Sequence, residues 1–209
     1  MSDIPVTLDN AYNLKDIEQT KTLYRQWAKD YDESFGAQMG YVAPARVAEA
    51  FKNEADGNTT PVLDVGAGTG LLAQHLCDHI IDALDVSAEM LAVARSKQLY
   101  RRLLPADLTQ PLPVEDGVYG AVVSSGTFTH GHVGPECLPE LLRVTRSGAL
   151  FACGVAMHVF DDMRFGSALA RLQATNKIGP LRFVEMPLYS GSEHERSRDM
   201  GLVVLFRKQ

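Results

Sequence analysis

Cysteine is scarce in this chain. Cys77, Cys137 and Cys153 are odd in number, far apart and set in apolar contexts. That pattern argues against a disulfide framework or a zinc site and fits a reducing compartment. No stretch reaches membrane-spanning length, and the opening MSDIPVTLD is acidic without an apolar signal core, so a cytoplasmic location is expected. Basic clusters are also missing. Lys and Arg number 20 against 26 Asp and Glu, a net charge of −6. A surface tracking nucleic-acid phosphates is therefore not expected, and neither is a membrane partner; a small neutral or cationic molecule fits better. Nothing signals an oligomer, and a monomer is the default expectation.

What the chain does have is glycine, concentrated in one place. Val62-Leu63-Asp64-Val65-Gly66-Ala67-Gly68-Thr69-Gly70 reads as an apolar strand running into a glycine-dense turn, with a helix expected to open at Leu71. Glycine serves a turn whose φ other residues resist and a backbone that a ligand must approach closely. Strand, turn and helix start together build a nucleotide-type cradle. The dinucleotide fingerprint wants a third glycine where Leu71 stands, and Asp64 at the strand end would repel a pyrophosphate. The turn thus favours a ligand carrying an ammonium or sulfonium group. Asp64 acting only to tie down turn amides is the plainer alternative.

Further acids follow at the ends of successive expected strands. His79 to Asp85 reads as a second strand, whose terminal carboxylate can accept both hydroxyls of a ribose. Ser87 then caps a helix on which Met90, Leu91 and Ala94 share a face, with Met90 either in the core or beside an adenine. Tyr100 to Pro105 reads as a third strand delivering Asp107 and Leu108. A carboxylate there accepts from an adenine amino group while the next amide donates to the ring; an ordinary loop cap is the bland reading.

The runs VLDVGAGTG, ALDVSAEMLAVAR and PADLTQPLP resemble the class I S-adenosylmethionine-dependent methyltransferases. The likeness continues through a fourth strand, Tyr119 to Gly126, a helix, Leu138 to Thr145, and a fifth strand, Ala149 to Gly154. Upstream, Tyr24 to Asp32 resembles the WAxxYD segment of many small methyltransferases. SKQLYRRL, PLP and ELLRVTRSG are similar to the methyltransferase-like proteins of the Williams–Beuren syndrome region. The resemblance implies S-adenosyl-L-methionine as cofactor. Asp64, Gly66 and Gly68 would face its methionine part, Asp85 its ribose, Asp107 and Leu108 its adenine, and Ser125 the surroundings of the sulfonium, with Ala67, Val86 and Met90 also binding the cofactor. Gly120, where the family usually has an acid, and Arg146-Ser147-Gly148, where it has a Pro-Gly-Gly turn, depart from the pattern.

Strand–helix alternation from Pro61 to Gly154 predicts an α/β, doubly wound, mostly parallel sheet. In the resembling Rossmann-like fold it is seven-stranded, with one antiparallel strand near the C-terminus; Gly201 to Phe206 suits that strand, paired between its predecessors. Phe183 to Met186 reads as another strand and Arg164 to Asn176 as a helix. Residues 61–209 form the cofactor-binding domain within one domain overall. Residues 1–60 read as a helical segment, with helices over Lys15 to Tyr31 and Pro44 to Lys52 and a turn from Gly36 to Gly40. Its apolar face carries Trp27 and Tyr31 and either packs on the sheet or lids the cofactor.

Candidate bases sit in Thr127 to His132, where His130 or His132 could be tuned near neutral pH, against the bland reading of ordinary loop histidines. His158 is a weaker candidate, and no metal site is expected. The acceptor is read as a small molecule. Rival readings are a non-catalytic S-adenosylmethionine-binding protein and an NAD(P)-dependent oxidoreductase.

Overall fold

The computed structural model describes residues 5–7, 10–11, 14, 17–129, 133–191 and 193–209. Among them the strands are β1 (Val62–Val65), β2 (Ile81–Asp85), β3 (Arg102–Pro105), β4 (Tyr119–Phe128), β5 (Thr145–Ala156), β6 (Arg182–Pro187) and β7 (Met200–Arg207). They form one sheet in the order β3-β2-β1-β4-β5-β7-β6. β1 runs parallel to β2 and β4, Val62 facing Ile81 and Ala121. β7 is antiparallel to both β5 and β6 and lies between them, as the resemblance implied, and its continuous apolar run suits a strand buried on both faces. Every residue of β1 is buried, so the glycine turn leaves from the middle of the sheet.

The helices are α1 (Ile17–Trp27), α2 (Ala43–Glu54), α3 (Ala88–Ser96), α4 (Leu138–Val144), α5 (Met157–Phe160) and α6 (Phe165–Ala174). α2 begins with Pro44 in its first turn, where a missing N–H costs nothing. Its Val47 and Phe51, one turn apart, are fully buried against the sheet. α3 starts on Ser87, whose Oγ accepts from the Met90 amide at 3.2 Å, and it buries Met90, Leu91 and Ala94.

Three expectations are corrected. No α-helix opens at Leu71; only a 3-10 turn, Ala73–His75, follows the glycines. Among the residues that follow the glycines, His75, Cys77, Asp78 and His79 are all weaker helix formers, and β2 begins soon after, at Ile81. The first helix spans Ile17–Trp27 rather than reaching Tyr31, and a π-helical turn, Asp32–Ala37, follows, running into the expected Gly36–Gly40 turn. The Trp27 indole N–H bonds Ser34 Oγ at 2.8 Å and that hydroxyl donates to the Asp30 carbonyl, which folds the chain back. Lys15 lies outside the described residues. Cys77, read as apolar in context, is exposed; Cys137 and Cys153 are buried.

The two departures from the family pattern turn out to be neighbours. A Cβ on Gly120 would lie 2.3 Å from the Asn58 carbonyl and 2.4 Å from an Arg146 guanidinium nitrogen. Arg146 occupies that space and donates to the Thr60 carbonyl at 2.6 Å. The stretch expected as a turn, Arg146-Ser147-Gly148, is the irregular start of β5. The register jumps from Tyr119 facing Thr145 to Ala121 facing Leu150, and Gly148 takes φ +78.

Beneath the sheet's middle, Asp82 is fully buried. Arg101 grips it with two bonds of 2.9 and 2.8 Å, and the Tyr119 hydroxyl donates at 2.9 Å. Arg101 is itself half-exposed, and Arg102 Nη1 lies 4.0 Å from the same carboxylate, so losing Arg101 removes two charge-assisted hydrogen bonds without leaving the charge alone. Arg101→Ala should therefore cost about 1.5 kcal/mol, read as a lower urea midpoint with unchanged slope. A midpoint within error of the native one would contradict this account of Asp82.

Candidate functional site

The site lies at the carboxyl ends of the parallel strands, where an open α/β sheet leaves a crevice. A cavity of about 410 Å³ opens there, lined from β1, β2, β3 and β4 by Gly66, Gly68, Asp85, Val86, Asp107 and Ser125 among others. That size falls within the range of small-ligand sites, roughly 300–1,000 Å³. Met90 and Leu108 form apolar wall, and Leu14, Ile17, Thr20, Tyr24 and Tyr31 close it from the N-terminal side. No lysine, arginine or histidine lines it among the described residues, so its charge is that of carboxylates.

Asp85 organises the floor. Its Oδ2 accepts from the Gly68 amide and its Oδ1 from the Ser87 amide, both at 2.8 Å. The amide that a phosphate cradle would aim at its ligand is therefore already bonded inside the protein. Burial pushes the Asp85 carboxyl above its ordinary range, while the Ser87 and Gly68 amides pull it down. Gly66 is required twice over. Its φ is +66, and a Cβ there would lie 1.9 Å from Thr127 Oγ1. Thr127 in turn donates to the Val65 carbonyl at 2.9 Å, so β4 grips the strand end just before the turn.

Asp64 and Ala67 face a second, smaller space of about 40 Å³, shared with Gly66, Gly68, Ser125, Tyr31 and Tyr41. Asp64 is 1% exposed and accepts from the Tyr100 hydroxyl at 2.7 Å. Burial pushes its carboxyl up to about 7; the Tyr100 bond lowers it and the neighbouring Asp85 charge raises it. Tyr100, expected in the third strand, instead precedes β3 and points inward. It is held well above the ordinary tyrosine range, chiefly by burial and the Asp64 charge. Asp107 accepts at one oxygen from the amide and hydroxyl of Thr109, at 2.8 and 2.7 Å. It is both a loop cap and part of the cavity wall.

Trp27 lies off the main cavity, in an adjoining aromatic pocket with Tyr24, Tyr31, Phe35, Tyr41 and Phe128. The candidate bases His130 and His132 lie outside the described residues. His158 is exposed on α5 and lines none of these spaces. Sequence reasoning missed Asp32, which accepts from Thr69 of the glycine turn and pairs with Lys97 just past α3. It also missed Tyr41, whose hydroxyl meets Ser125 Oγ at 3.1 Å. For Asp32 the signal was present, since it ends the WAxxYD-like segment; Tyr41 and Tyr100 carried none. Among the described residues no group of His, Cys, Asp and Glu converges as a metal site, and no helix is long and apolar enough to cross a membrane.

Comparison with known proteins adds a frame to this geometry. Residues 63–153 match the family model described as a methyltransferase domain. Methyltransferase-like protein 27 of Homo sapiens is 34% identical over 146 residues, 67% of this chain and 59% of that protein. The malonyl-[acyl-carrier protein] O-methyltransferase of Geobacter sulfurreducens is 30% identical over 165 residues, 76% of this chain and 59% of its own length. The chain thus spans under two thirds of these relatives. The solved structure of an S-adenosylmethionine-dependent methyltransferase from Aquifex aeolicus superposes with a TM-score of 0.59 at 20% identity. That match covers 87% of this chain and 97% of the other, and at that identity the likeness is one of fold.

Asp64 also predicts a pH dependence. A carboxyl whose folded pKa lies above its unfolded value holds its proton more tightly in the folded chain, so ionising it disfavours folding. Stability contributed by this group should fall as pH rises from about 4 towards 7 and level off above. Asp64→Asn removes that dependence, so in urea titrations the variant should gain on the native protein across this window. Parallel stability curves would show that Asp64 is ionised throughout.

Proposed function

We propose that this chain is a class I, S-adenosylmethionine-dependent methyltransferase that methylates a small-molecule acceptor, in keeping with the match of residues 63–153 to the methyltransferase-domain model. The observation that carries the reading is a row of acids along three neighbouring strands, Asp85 and Asp107 on the main cavity and Asp64 on the smaller space beside it, with no cationic side chain lining either among the described residues. Such a row suits an adenosine that bears positive charge and repels one that bears phosphates. When bound, the cofactor supplies a methyl carbon on a cationic sulfur, a strong electrophile.

Each protein group then has a role in holding and aligning. Asp85, already oriented by two amides, would accept the ribose hydroxyls with its remaining lone pairs. Asp107 and the Leu108 amide would hold the adenine edge, with Val86 and Met90 against its faces. Gly66, Ala67, Gly68 and Asp64 would border the methionine end, the Asp64 carboxylate facing its ammonium, and Ser125 the region of the sulfonium. Residues 17–41 would lid the site. Asp32 ties the turn after α1 to Thr69 and Lys97, and Tyr31 touches all three spaces. Covering the site excludes water and fixes the approach of the acceptor, which is what an in-line transfer demands. The small-molecule reading draws support from the narrowness of the adjoining pocket and from the absence of a basic surface for nucleic acid.

S-adenosylmethionine and its demethylated product S-adenosylhomocysteine should bind with micromolar dissociation constants by calorimetry. Asp85→Ala should weaken that binding by about 1.5–3 kcal/mol, the worth of hydrogen bonds to a charged group. An unchanged constant would remove Asp85 from the ribose. Incubating the protein with cofactor carrying a deuterated methyl group and a metabolite extract should yield a product heavier by that methyl in mass spectrometry. Cofactor binding with no labelled product would favour a protein that binds the cofactor without transferring from it.

A further inference from the structure

The aromatic pocket beside the main cavity holds information about the acceptor that the cofactor site does not. It shares Tyr24, Tyr31 and Gly126 with that cavity, so whatever occupies it abuts the cofactor space directly. Its narrow interior, about 50 Å³, admits the reacting end of a molecule rather than a whole large one. The walls are rings: Trp27 and Tyr31 meet edge to face at 5.1 Å, and Phe35 and Tyr41 lie 4.7 Å apart. Met186 and Leu188 complete an apolar lining, and among the described residues no charged side chain contributes to it.

The polar atoms of this lining are nearly all committed. The Trp27 indole N–H bonds Ser34, and the Tyr41 hydroxyl pairs with Ser125. Thr129 is the exception. Its Oγ1 is buried and, among the described residues, has no hydrogen-bond partner. An orphaned buried hydroxyl is destabilising, and a ligand atom that bonds it recovers that cost. A hydroxyl both donates and accepts, so it matches a phenol, an enol or a neutral amine equally well. A carboxylate in the same place would lose its water and find no cation among the described lining residues.

Building on the methyltransferase reading, we propose that the acceptor is an uncharged, ring-bearing molecule whose one polar atom at the reacting end bonds Thr129 Oγ1. Planar rings stack or meet edge-on with the aromatic walls, and the hydroxyl fixes which atom points at the cofactor space. This makes Thr129 a specificity-determining contact for the transfer, and it disfavours acceptors that present a free carboxylate.

The test uses the full chain saturated with S-adenosylhomocysteine, after calorimetry has established that the latter binds. Ligand-detected NMR titrations then compare 2-naphthol, 2-naphthoate and naphthalene. The expected order has 2-naphthol at least tenfold tighter than 2-naphthoate. Thr129→Val, which keeps the shape and removes the hydroxyl, should reduce the 2-naphthol advantage over naphthalene by about tenfold. The inference is overturned by 2-naphthoate binding as tightly as 2-naphthol, by an unaltered 2-naphthol preference in Thr129→Val, or by no binding of any of the three. Those failures leave cofactor binding, and the function proposed from it, intact. Failure of S-adenosylhomocysteine itself to bind overturns both.

Discussion

The site depends on the two amides that Asp85 holds. Its carboxylate, at the end of β2, bonds Gly68 of one turn and Ser87 of the next, so the two loops over the middle of the sheet are fixed to one another. A cradle that relies on a helix start offers its free amides to a ligand's negative charge. Here the helix is absent, only a 3-10 turn follows the glycines, and a fixed negative charge takes one of those amides. The electrostatic sense of the crevice is reversed, from anion-seeking to cation-tolerant. Gly66 packed on Thr127 serves the same end from the other side, because it holds the turn against β4 and keeps the cavity open between them.

The N-terminal segment extends this arrangement. α2 is part of the sheet's packing, with Val47 and Phe51 in the core, whereas α1 and the π-helical turn after it line the cavities. Asp32 connects that turn to Thr69 in the glycine loop, so the piece that covers the site is fastened to the piece that forms it. A continuous run of rings from Tyr24 through Trp27, Tyr31 and Phe35 to Tyr41 lies beside the cavity. The same rings make the neighbouring pocket apolar, so the two spaces differ sharply in character: carboxylates on one side, aromatic carbon on the other.

Much of this was legible in the sequence where a local rule and a distant demand agreed. Ser87 as helix cap and Asp85 at a strand end are cases where spacing alone suffices, whereas β7 as the inserted antiparallel strand was implied by the resemblance. The illegible parts all involve partners far apart along the chain. Tyr100 looked like a strand residue, and only the folded chain brings it to Asp64. Gly120 and Arg146 looked like independent departures, yet one vacates the space that the other fills. The helix expected at Leu71 is the exception, for there His75, Cys77, Asp78 and His79, weaker helix formers, outweigh the apolar run. Thr129 gave no signal at all, since an orphaned hydroxyl is defined by what the fold fails to bring near it.

The most direct test is a crystal structure of the chain grown with S-adenosylhomocysteine. The ribose should lie within hydrogen-bond distance of Asp85, with the Gly68 and Ser87 amides still bonded to the same carboxylate and the sulfur directed towards the aromatic pocket. Density for the compound at another place, or an Asp85 turned away from a ribose that sits in the cavity, would contradict the account.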